Sequence, residues 1–443
     1  MDFARARGLA TLMAMDFQQR AARLKALALY LAERKEQLYA LSHHSGATRA
    51  DSWIDIEGGN ATLFSYAGIG SRELPSGNLV HEGPAIPLGK QGHFAGSHIL
   101  VPRAGVAVHI NAFNFPIWGM LEKFAPTFLA GMPCIVKPAT STSYLTEAVV
   151  RLMNASGRVA RTADLQLVIG STGDLLDRLQ GQDVVTFTGS ADTAAKLRVT
   201  PNLVRNSVPF TAEADSLNCA ILGPDVTPDS EEFDLYIKEV VREMTTKAGQ
   251  KCTAIRRAIV PARHIDAVAT RLRERLAKVV VGDPSLEGVR MGALASHDQQ
   301  HDVAERVRSL LQSCDQLFGA SDGFAPRGEG VAEGAFFAPT LLQARDPHAE
   351  GGAHDIEAFG PVSTLMAYDD LDEALALAAR GKGSLVATLV TADRSVAAKA
   401  IPVAAAWHGR LLVLDSEAAK ESTGAWLAIA ATQARWPGPR WWW

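Results

Sequence analysis

Short apolar runs alternate with segments of helical spacing along most of this 443-residue chain, and this alternation constrains the fold more than any other feature. Segments such as IWGMLEKFAPTFLAG and SYLTEAVVRLMNASG have the helical spacing and separate the apolar runs. Strands that alternate with helices form parallel sheets covered by helices on both faces. We therefore predict a doubly wound α/β domain over residues 1–214. Its predicted strands are 104–110, 133–138, 165–170, 183–189 and 207–213.

The alternation resumes beyond this domain and predicts a second α/β domain over residues 215–424. Between its predicted elements, the segment 285–350 is rich in Gly, Asp and Gln, and we expect long loops there. Leucines recur at helical spacing near the amino end of the chain, which predicts amphipathic helices before the first strand. The predicted elements of the second domain are helices 229–246 and 263–278 and strands 218–223, 256–261, 384–390 and 409–415.

Composition excludes several classes of protein. The formal net charge of −4 lacks the basic excess of a nucleic-acid-binding surface. Four cysteines are scattered without a C-x-x-C pair, which favours a reducing compartment, and the cytoplasm is the default location. The first fifteen residues carry an acid and arginines among the apolar residues, so we expect neither a signal peptide nor a membrane span.

One histidine pair has metal-binding spacing but lacks its partners. His297 and His301, in HDQQH, lie one helical turn apart. Aspartate stands where a zinc protease would have its glutamate, and no third ligand is evident in the sequence. We therefore predict no metal site.

Three polar motifs follow predicted strands. In an open parallel sheet, ligands bind beyond the carboxyl ends of the strands, which is where these motifs lie. They are NAFNFP after the strand 104–110, KPATSTS after 133–136, and FTGSADTAA at the end of 183–187. Lys137, followed by hydroxyl residues that can cap a helix, provides a cation and donors suited to a ribose or a phosphate. The GSADTA segment lacks the G-x-G-x-x-G fingerprint, so an ordinary capped helix remains an alternative to dinucleotide binding.

The motifs NAFNFP, KPAT, FTGS, TAEADSLN, GQKCTAIRR and EAFGPV occur in the order and approximate spacing of the aldehyde dehydrogenase superfamily, which this sequence resembles. Longer strings, among them GATRADSWIDIEGG and EVVREMTTKAGQKCTAIRR, resemble the branch formed by the semialdehyde dehydrogenase half of the bifunctional phenylacetate-catabolism protein. The resemblance covers roughly residues 16–424. It implies oxidation of an aldehyde, and for this branch a CoA-linked semialdehyde, to the acid.

The resemblance also assigns catalytic roles. It implies that Cys252 is the nucleophile, and aldehyde oxidation needs one, because a thiolate adds to the aldehyde carbon. Lys251 and the preceding backbone are candidates for favouring that thiolate. Glu213 corresponds to the glutamate that activates the cysteine or the deacylating water, and Asn114 to the amide that stabilises the oxyanion. The structural alternatives are a buried thiol, a surface carboxylate and a turn residue before Pro116.

For the cofactor, the resemblance places Lys137 at the adenine ribose, Gly189 and Ser190 at the pyrophosphate, and Glu357 with Phe359 at the nicotinamide ribose and ring. NAD-preferring relatives often carry a glutamate three positions after the lysine, where this chain has Thr140. Without that carboxylate a 2′-phosphate meets no like charge, so we expect NADP to be preferred, with NAD possible.

The resemblance implies a homo-oligomer, with a β extension near 85–103 at the contact between subunits. Both ends of the chain depart from the family pattern, which we interpret as truncation. Five of the eight tryptophans fall in the last eighteen residues, and a reading-frame shift would convert a glycine-rich loop into such a tail, 425–443. A catalytically impaired remnant that does not assemble is the alternative hypothesis.

Overall fold

The computed structural model describes residues 1–158 and 164–422. The tryptophan-rich segment 425–443 therefore lies outside the described residues. The chain divides into two compact units, the first formed by Met1–Leu41 with Ser52–Ala214 and the second by Ser42–Asp51 with the described residues from Asp215 onward. The segment Ser42–Asp51 was expected in the first domain but packs in the second unit, because its side chains bond Lys247 there.

Within the described residues of the first unit, two short antiparallel ribbons precede the main sheet. Strand β1 (Val80–His81) pairs with β4 (Ile99–Leu100), and β2 (Ile86–Pro87) pairs with β3 (Ala95–Gly96). This is the region predicted as a β extension at 85–103.

The main sheet of the first unit has five parallel strands in the described residues, in the order β7-β6-β5-β8-β9. Each predicted apolar run of this half of the chain forms one strand. The order places β5 and β8 side by side and parallel, so the motifs that follow them lie next to each other at the carboxyl ends of the strands. The strands are β5 (Ala107–Ile110), β6 (Cys134–Lys137), β7 (Leu165–Leu167), β8 (Val184–Thr188) and β9 (Phe210–Glu213).

Helices cover both faces of this sheet, as the separate apolar clusters on its two sides show. Near the amino end, Leu24, Leu27 and Leu31 are buried in one cluster, as the helical spacing predicts. Asp16 caps their helix in a capping box with Gln19. The helices that this unit holds or shares are α1 (Leu9–Met13), α2 (Phe17–Ala32), α3 (Lys35–Ser42), α4 (Arg49–Trp53), α5 (Gly59–Arg72), α6 (Trp118–Leu129), α7 (Ser143–Ala155), α8 (Ala191–Arg198) and α9 (Pro201–Arg205).

The described part of the second unit contains a seven-stranded sheet in the order β12-β13-β14-β11-β10-β15-β16, parallel except for the edge pair β12–β13. Its strands are β10 (Cys219–Leu222), β11 (Arg257–Pro261), β12 (Cys314–Phe318), β13 (Thr340–Ala344), β14 (Val362–Tyr368), β15 (Ser384–Val390) and β16 (His408–Leu414). Its helices are α10 (Glu231–Thr245), α11 (Ile265–Leu276), α12 (His297–Leu310), α13 (Leu371–Ala379), α14 (Arg394–Ala405) and α15 (Ser416–Glu421).

The expectation of long loops over 285–350 is wrong in part, because α12, β12 and β13 lie there. Helix α12 has a mostly polar sequence and buries only Val303, Val307 and Leu310. Three apolar residues are too few to show a clear helical periodicity. Strand β12 lies at the sheet edge with two residues exposed. Edge strands and mostly exposed helices give weak apolar signals, which accounts for α12 and β12. Strand β13 is mostly buried, but its apolar run is only Leu341 and Leu342.

Across the described residues, no helix combines the length and the apolar character needed to cross a membrane. The same residues contain no group of three or more His, Cys, Asp and Glu side chains placed to hold a metal ion. His297 lies at the first turn of α12, where its ring contacts Gln300 and the carbonyl of Glu333.

Candidate functional site

Cys252 follows a strained turn in the second unit. Helix α10 ends at Thr245, and the next residues form a turn in which Lys247 (φ 53°), Ala248 (φ 52°) and Gly249 (φ 67°) are all left-handed. Left-handed backbone costs about 1–2 kcal/mol for a residue with a side chain. A Cβ at Gly249 would lie 2.0 Å from the carbonyl oxygen of Gly360, so only glycine fits. The turn therefore needs strong support from its surroundings.

Part of that support comes from the fully buried side chain of Gln250. Its Nε2 donates to the carbonyl of Lys247 at 3.0 Å, and its Oε1 accepts from the backbone N–H of Ala295 at 2.9 Å. Asn218 holds the other side of Cys252, because its Nδ2 donates to the carbonyls of Cys252 at 2.8 Å and Ala254 at 3.0 Å. The backbone on both sides of Cys252 is thus fixed by buried amides.

The thiol of Cys252 differs from those of the other cysteines in exposure. Cys252 is partly exposed, whereas Cys134, Cys219 and Cys314 are buried. Burial raises the pKa of each of these three thiols above its ordinary value. Since the thiolate is the reactive form, the three buried cysteines are poor nucleophiles.

Lys251 does not supply the free cation that the sequence suggested. Its Nζ lies 2.7 Å from the carboxylate of Glu243, and the two side chains are only 2% and 3% exposed. The charge beside Cys252 is therefore compensated within a buried ion pair. The contribution to the thiolate that was expected from Lys251 is accordingly reduced.

Arg256 organises the two predicted cofactor residues of the second unit. Its Nε donates to Glu357 at 3.1 Å, and its guanidinium lies 5.3 Å from the ring centre of Phe359. The same guanidinium donates to the carbonyls of Gly249 and Gly360, which ties this group to the strained turn. Glu357 also accepts from the backbone N–H of Ser216 at 2.9 Å. Burial raises its pKa, while the charge of Arg256 opposes that rise.

Asn114 lies on a supported loop in the first unit. It is buried, and it follows the carboxyl end of β5, the central strand of the five-stranded sheet. Asp55 accepts from the backbone N–H groups of Ile117 at 3.1 Å and Trp118 at 2.8 Å, which caps α6 and holds the loop. Thr142 adds a hydrogen bond to the carbonyl of Phe113 at 3.0 Å. The loop is therefore fixed from two sides.

The other predicted residues of the first unit also lie at or just after the carboxyl ends of the parallel strands. Lys137 ends β6, and burial lowers the pKa of its ammonium. Ser190 caps α8 by accepting from the N–H of Thr193 at 3.3 Å. The N–H of Gly189 donates to the carbonyl of Glu213 at 3.1 Å, which joins the ends of β8 and β9. Thr140 is exposed at the start of a short helical turn after β6.

Each unit thus gathers its own share of the predicted residues. The first unit holds Asn114, Lys137, Thr140, Gly189, Ser190 and Glu213, and the second holds Cys252, Glu357 and Phe359. Sequence reasoning missed the residues that support them, chiefly Asp55, Asn218 and Glu243, and did not place Arg256 beside Glu357. The GATRADSWIDIEGG and TAEADSLN motifs contain Asp55 and Asn218, but a motif does not say what a residue contacts.

Comparisons with known proteins identify the family. The aldehyde dehydrogenase family model matches residues 2–408. The 3,4-dehydroadipyl-CoA semialdehyde dehydrogenase of Aromatoleum evansii is 44% identical over 425 residues, covering 96% of this chain and 82% of that protein. A putative aldehyde dehydrogenase of Staphylococcus aureus is 27% identical over 68% of this chain and 61% of its own length.

Solved structures show the fold. The betaine aldehyde dehydrogenase of Staphylococcus aureus, solved with NAD+, has a TM-score of 0.78 at 21% identity and covers 90% of this chain and 75% of its own. A putative aldehyde dehydrogenase from Burkholderia cenocepacia has a TM-score of 0.80 at 24% identity, over 93% and 80% of the two chains. The solved structures confirm the predicted fold, and the family match and the 44%-identical relative confirm the resemblance inferred from the motifs.

The difference in exposure among the cysteines predicts their order of alkylation. Iodoacetamide should modify Cys252 first in the folded protein, because the other thiols are buried and their pKa values are raised. Peptide mass spectrometry after partial labelling measures the order, and Cys252→Ser provides the control, since it should remove the fast phase. Earlier labelling of Cys134, Cys219 or Cys314 would contradict the assignment.

Proposed function

Because the chain belongs to the aldehyde dehydrogenase family, we propose that it oxidises an aldehyde to a carboxylic acid with Cys252 as the nucleophile. The partly exposed thiol at the end of a strained, hydrogen-bonded turn is the observation that carries this proposal. The name of the 44%-identical relative supports a CoA-linked semialdehyde from the catabolism of aromatic compounds as the substrate. The four unbridged cysteines support a cytoplasmic location.

In the proposed mechanism, Cys252 loses its proton to a base and its sulfur bonds to the aldehyde carbon. The side-chain amide of Asn114 and the backbone N–H of Cys252 donate hydrogen bonds to the resulting oxyanion. Collapse of the oxyanion expels the carbon-bound hydrogen as hydride and leaves a thioester on Cys252. Glu213 then takes a proton from a water molecule, and the resulting hydroxide attacks the thioester. The carbon–sulfur bond breaks, the acid product is released, and the Cys252 sulfur takes back a proton.

A nicotinamide cofactor, which this family uses, accepts the hydride when bound. The residues of the first unit fit such a group. The N-terminus of α8, capped by Ser190, provides backbone donors for a pyrophosphate. Gly189 precedes it, where a Cβ would lie 2.5 Å from the ring of Phe187. Lys137 provides a cation for the ribose. We propose that Glu357 accepts from the nicotinamide ribose, with Phe359 beside the ring, since Arg256 already orients both side chains.

We propose NADP as the preferred cofactor, on the basis of Thr140. Thr140 is exposed, and no carboxylate stands at this position to repel a 2′-phosphate. A glutamate there would repel the phosphate and bind the ribose hydroxyls of NAD.

Thr140→Glu should therefore shift the preference from NADP toward NAD by about tenfold or more, which corresponds to roughly 1–2 kcal/mol. The ratio of kcat/KM for the two cofactors measures the shift, and Thr140→Gln, which matches the size without the charge, is the control. Unchanged ratios in Thr140→Glu would show that this position does not read the 2′-phosphate.

We propose that the ribbons around β1–β4 mediate association with a second copy of the chain. Ile86, Leu88 and Phe94 are 62%, 60% and 67% exposed there. A two-stranded ribbon has no core of its own, so such apolar side chains need a partner to cover them. Phe94→Asp should lower the molecular mass measured by light scattering after gel filtration, whereas the exposed control Val204→Asp should not. An unchanged mass in Phe94→Asp would contradict the proposal.

An activity assay tests the proposed function. The purified protein should produce absorbance at 340 nm when supplied with a CoA-linked semialdehyde and NADP+. Cys252→Ala should abolish the signal, while Cys314→Ala, which removes the buried thiol of strand β12, should retain it. A wild-type protein that is folded but inactive with NADP+ and NAD+ would instead support the alternative, a catalytically impaired remnant.

A further inference from the structure

The segment Ser42–Asp51, which belongs to the second unit, forms hydrogen bonds with the strained turn. Asp51 is buried at 3% exposure, and its Oδ1 accepts from the backbone N–H of Lys247 at 2.7 Å. Its Oδ2 accepts from the N–H of Thr48 at 2.9 Å and from the hydroxyl of Thr48 at 2.7 Å. Both oxygens are thus engaged, so the carboxylate has one fixed position. That position directs one oxygen at the first left-handed residue of the turn.

The side chain of Lys247 returns to the same segment. Lys247 is 4% exposed, and its Nζ donates to the hydroxyl of Ser45 at 2.8 Å. The carbonyl of Lys247 accepts from Gln250, so the backbone N–H, the backbone carbonyl and the ammonium of this residue all have buried partners. A lysine held at three points cannot rotate its peptide without breaking buried hydrogen bonds, each of which is costly to lose.

This arrangement opposes the intrinsic preference of the backbone. Lys247 and Ala248 have side chains and still adopt left-handed conformations, which unsupported residues of these types avoid. The hydrogen bond that the N–H of Lys247 donates to Asp51 stabilises the left-handed conformation, since rotation of that peptide would leave a buried N–H without a partner. The position of Cys252, five residues further along the chain, depends on the path of this turn.

We propose that Asp51, acting through Lys247, is a positioning residue for Cys252, an inference that rests on the proposed role of Cys252 as the nucleophile. Asp51 acts by holding the left-handed turn, and it takes no part in bond making. Loss of the carboxylate should let the turn relax toward ordinary backbone angles and should misplace the sulfur. Misplacement of a reacting atom lowers the rate of the chemical step more than it weakens the binding of substrate.

The test compares Asp51→Ala with the loss of another hydrogen-bonded carboxylate in the same unit. Asp225 is exposed, but its carboxylate also accepts three hydrogen bonds, from the hydroxyl of Thr391 and from the N–H groups of Ala392 and Asp393. That loop carries no residue of the proposed site, so Asp225→Ala controls for the loss of such a carboxylate away from the strained turn's hydrogen bonds.

At equal folded fraction, Asp51→Ala should lower kcat by about tenfold to a hundredfold with a change of less than about threefold in KM. Asp225→Ala should keep kcat within about twofold of wild type. A third variant tests the strain directly: adding Ala248→Gly to Asp51→Ala should restore part of the lost kcat, because glycine adopts the left-handed conformation without cost. Equal kcat values in Asp51→Ala and Asp225→Ala would overturn the inference.

Hydrogen exchange tests the same inference without turnover. The amides of residues 247–252 should exchange at least about tenfold faster in Asp51→Ala than in Asp225→Ala, because the turn opens locally when its support is removed. Unchanged exchange there would overturn the role of Asp51 even in an active enzyme. If the wild-type protein has no activity but these amides still exchange faster in Asp51→Ala, the support of the turn by Asp51 stands and only the proposed function fails.

Discussion

The left-handed turn before Cys252 is the constraint on which the candidate site depends. Lys247, Ala248 and Gly249 adopt a conformation that side chains oppose, so the turn persists only where neighbouring groups hold it. Gln250, Asn218 and Arg256 bond its carbonyls and those that follow it. The same hydrogen bonds that oppose the strain also fix the peptide of Cys252. One set of hydrogen bonds therefore both maintains the strained backbone and fixes its position.

Buried ion pairs complete this support and have a cost of their own. Lys251 pairs with Glu243, and Arg256 pairs with Glu357, with side chains that are at most 6% exposed. Removing charges from water costs several kcal/mol for each ion, and attraction within the pair offsets that cost only when the geometry is good. Such pairs are weak sources of stability. Their effect here is to specify one arrangement, since removing either partner would leave a buried charge.

Sequence patterns predicted most of the sheet because buried strands have continuous apolar runs. Strands β5 to β11, β15 and β16 coincide with the predicted runs to within a few residues. Helix α12 and strands β12, β13 and β14 were missed. An exposed helix and an edge strand bury few apolar residues, which accounts for α12 and β12. Strands β13 (TLLQA) and β14 (VSTLMAY) are largely buried, but polar residues interrupt their apolar runs. For the candidate site, the motifs predicted which residues follow the carboxyl ends of the strands. They could not reveal Asp51 or Asn218 as supports, because the bond from Lys247 to Asp51 spans 196 positions in the sequence.

Covalent trapping of the reaction intermediate tests the central claim most directly. The protein would be mixed with a CoA-linked semialdehyde and NADP+, quenched in acid during turnover, digested and mapped by mass spectrometry. Acid preserves a thioester, so the peptide that contains Cys252 should carry the mass of the acyl group, and the label should disappear after hydroxylamine treatment. Turnover with the acyl group on another cysteine, or with no acylated cysteine when hydrolysis is made rate-limiting by Glu213→Gln, would contradict the account.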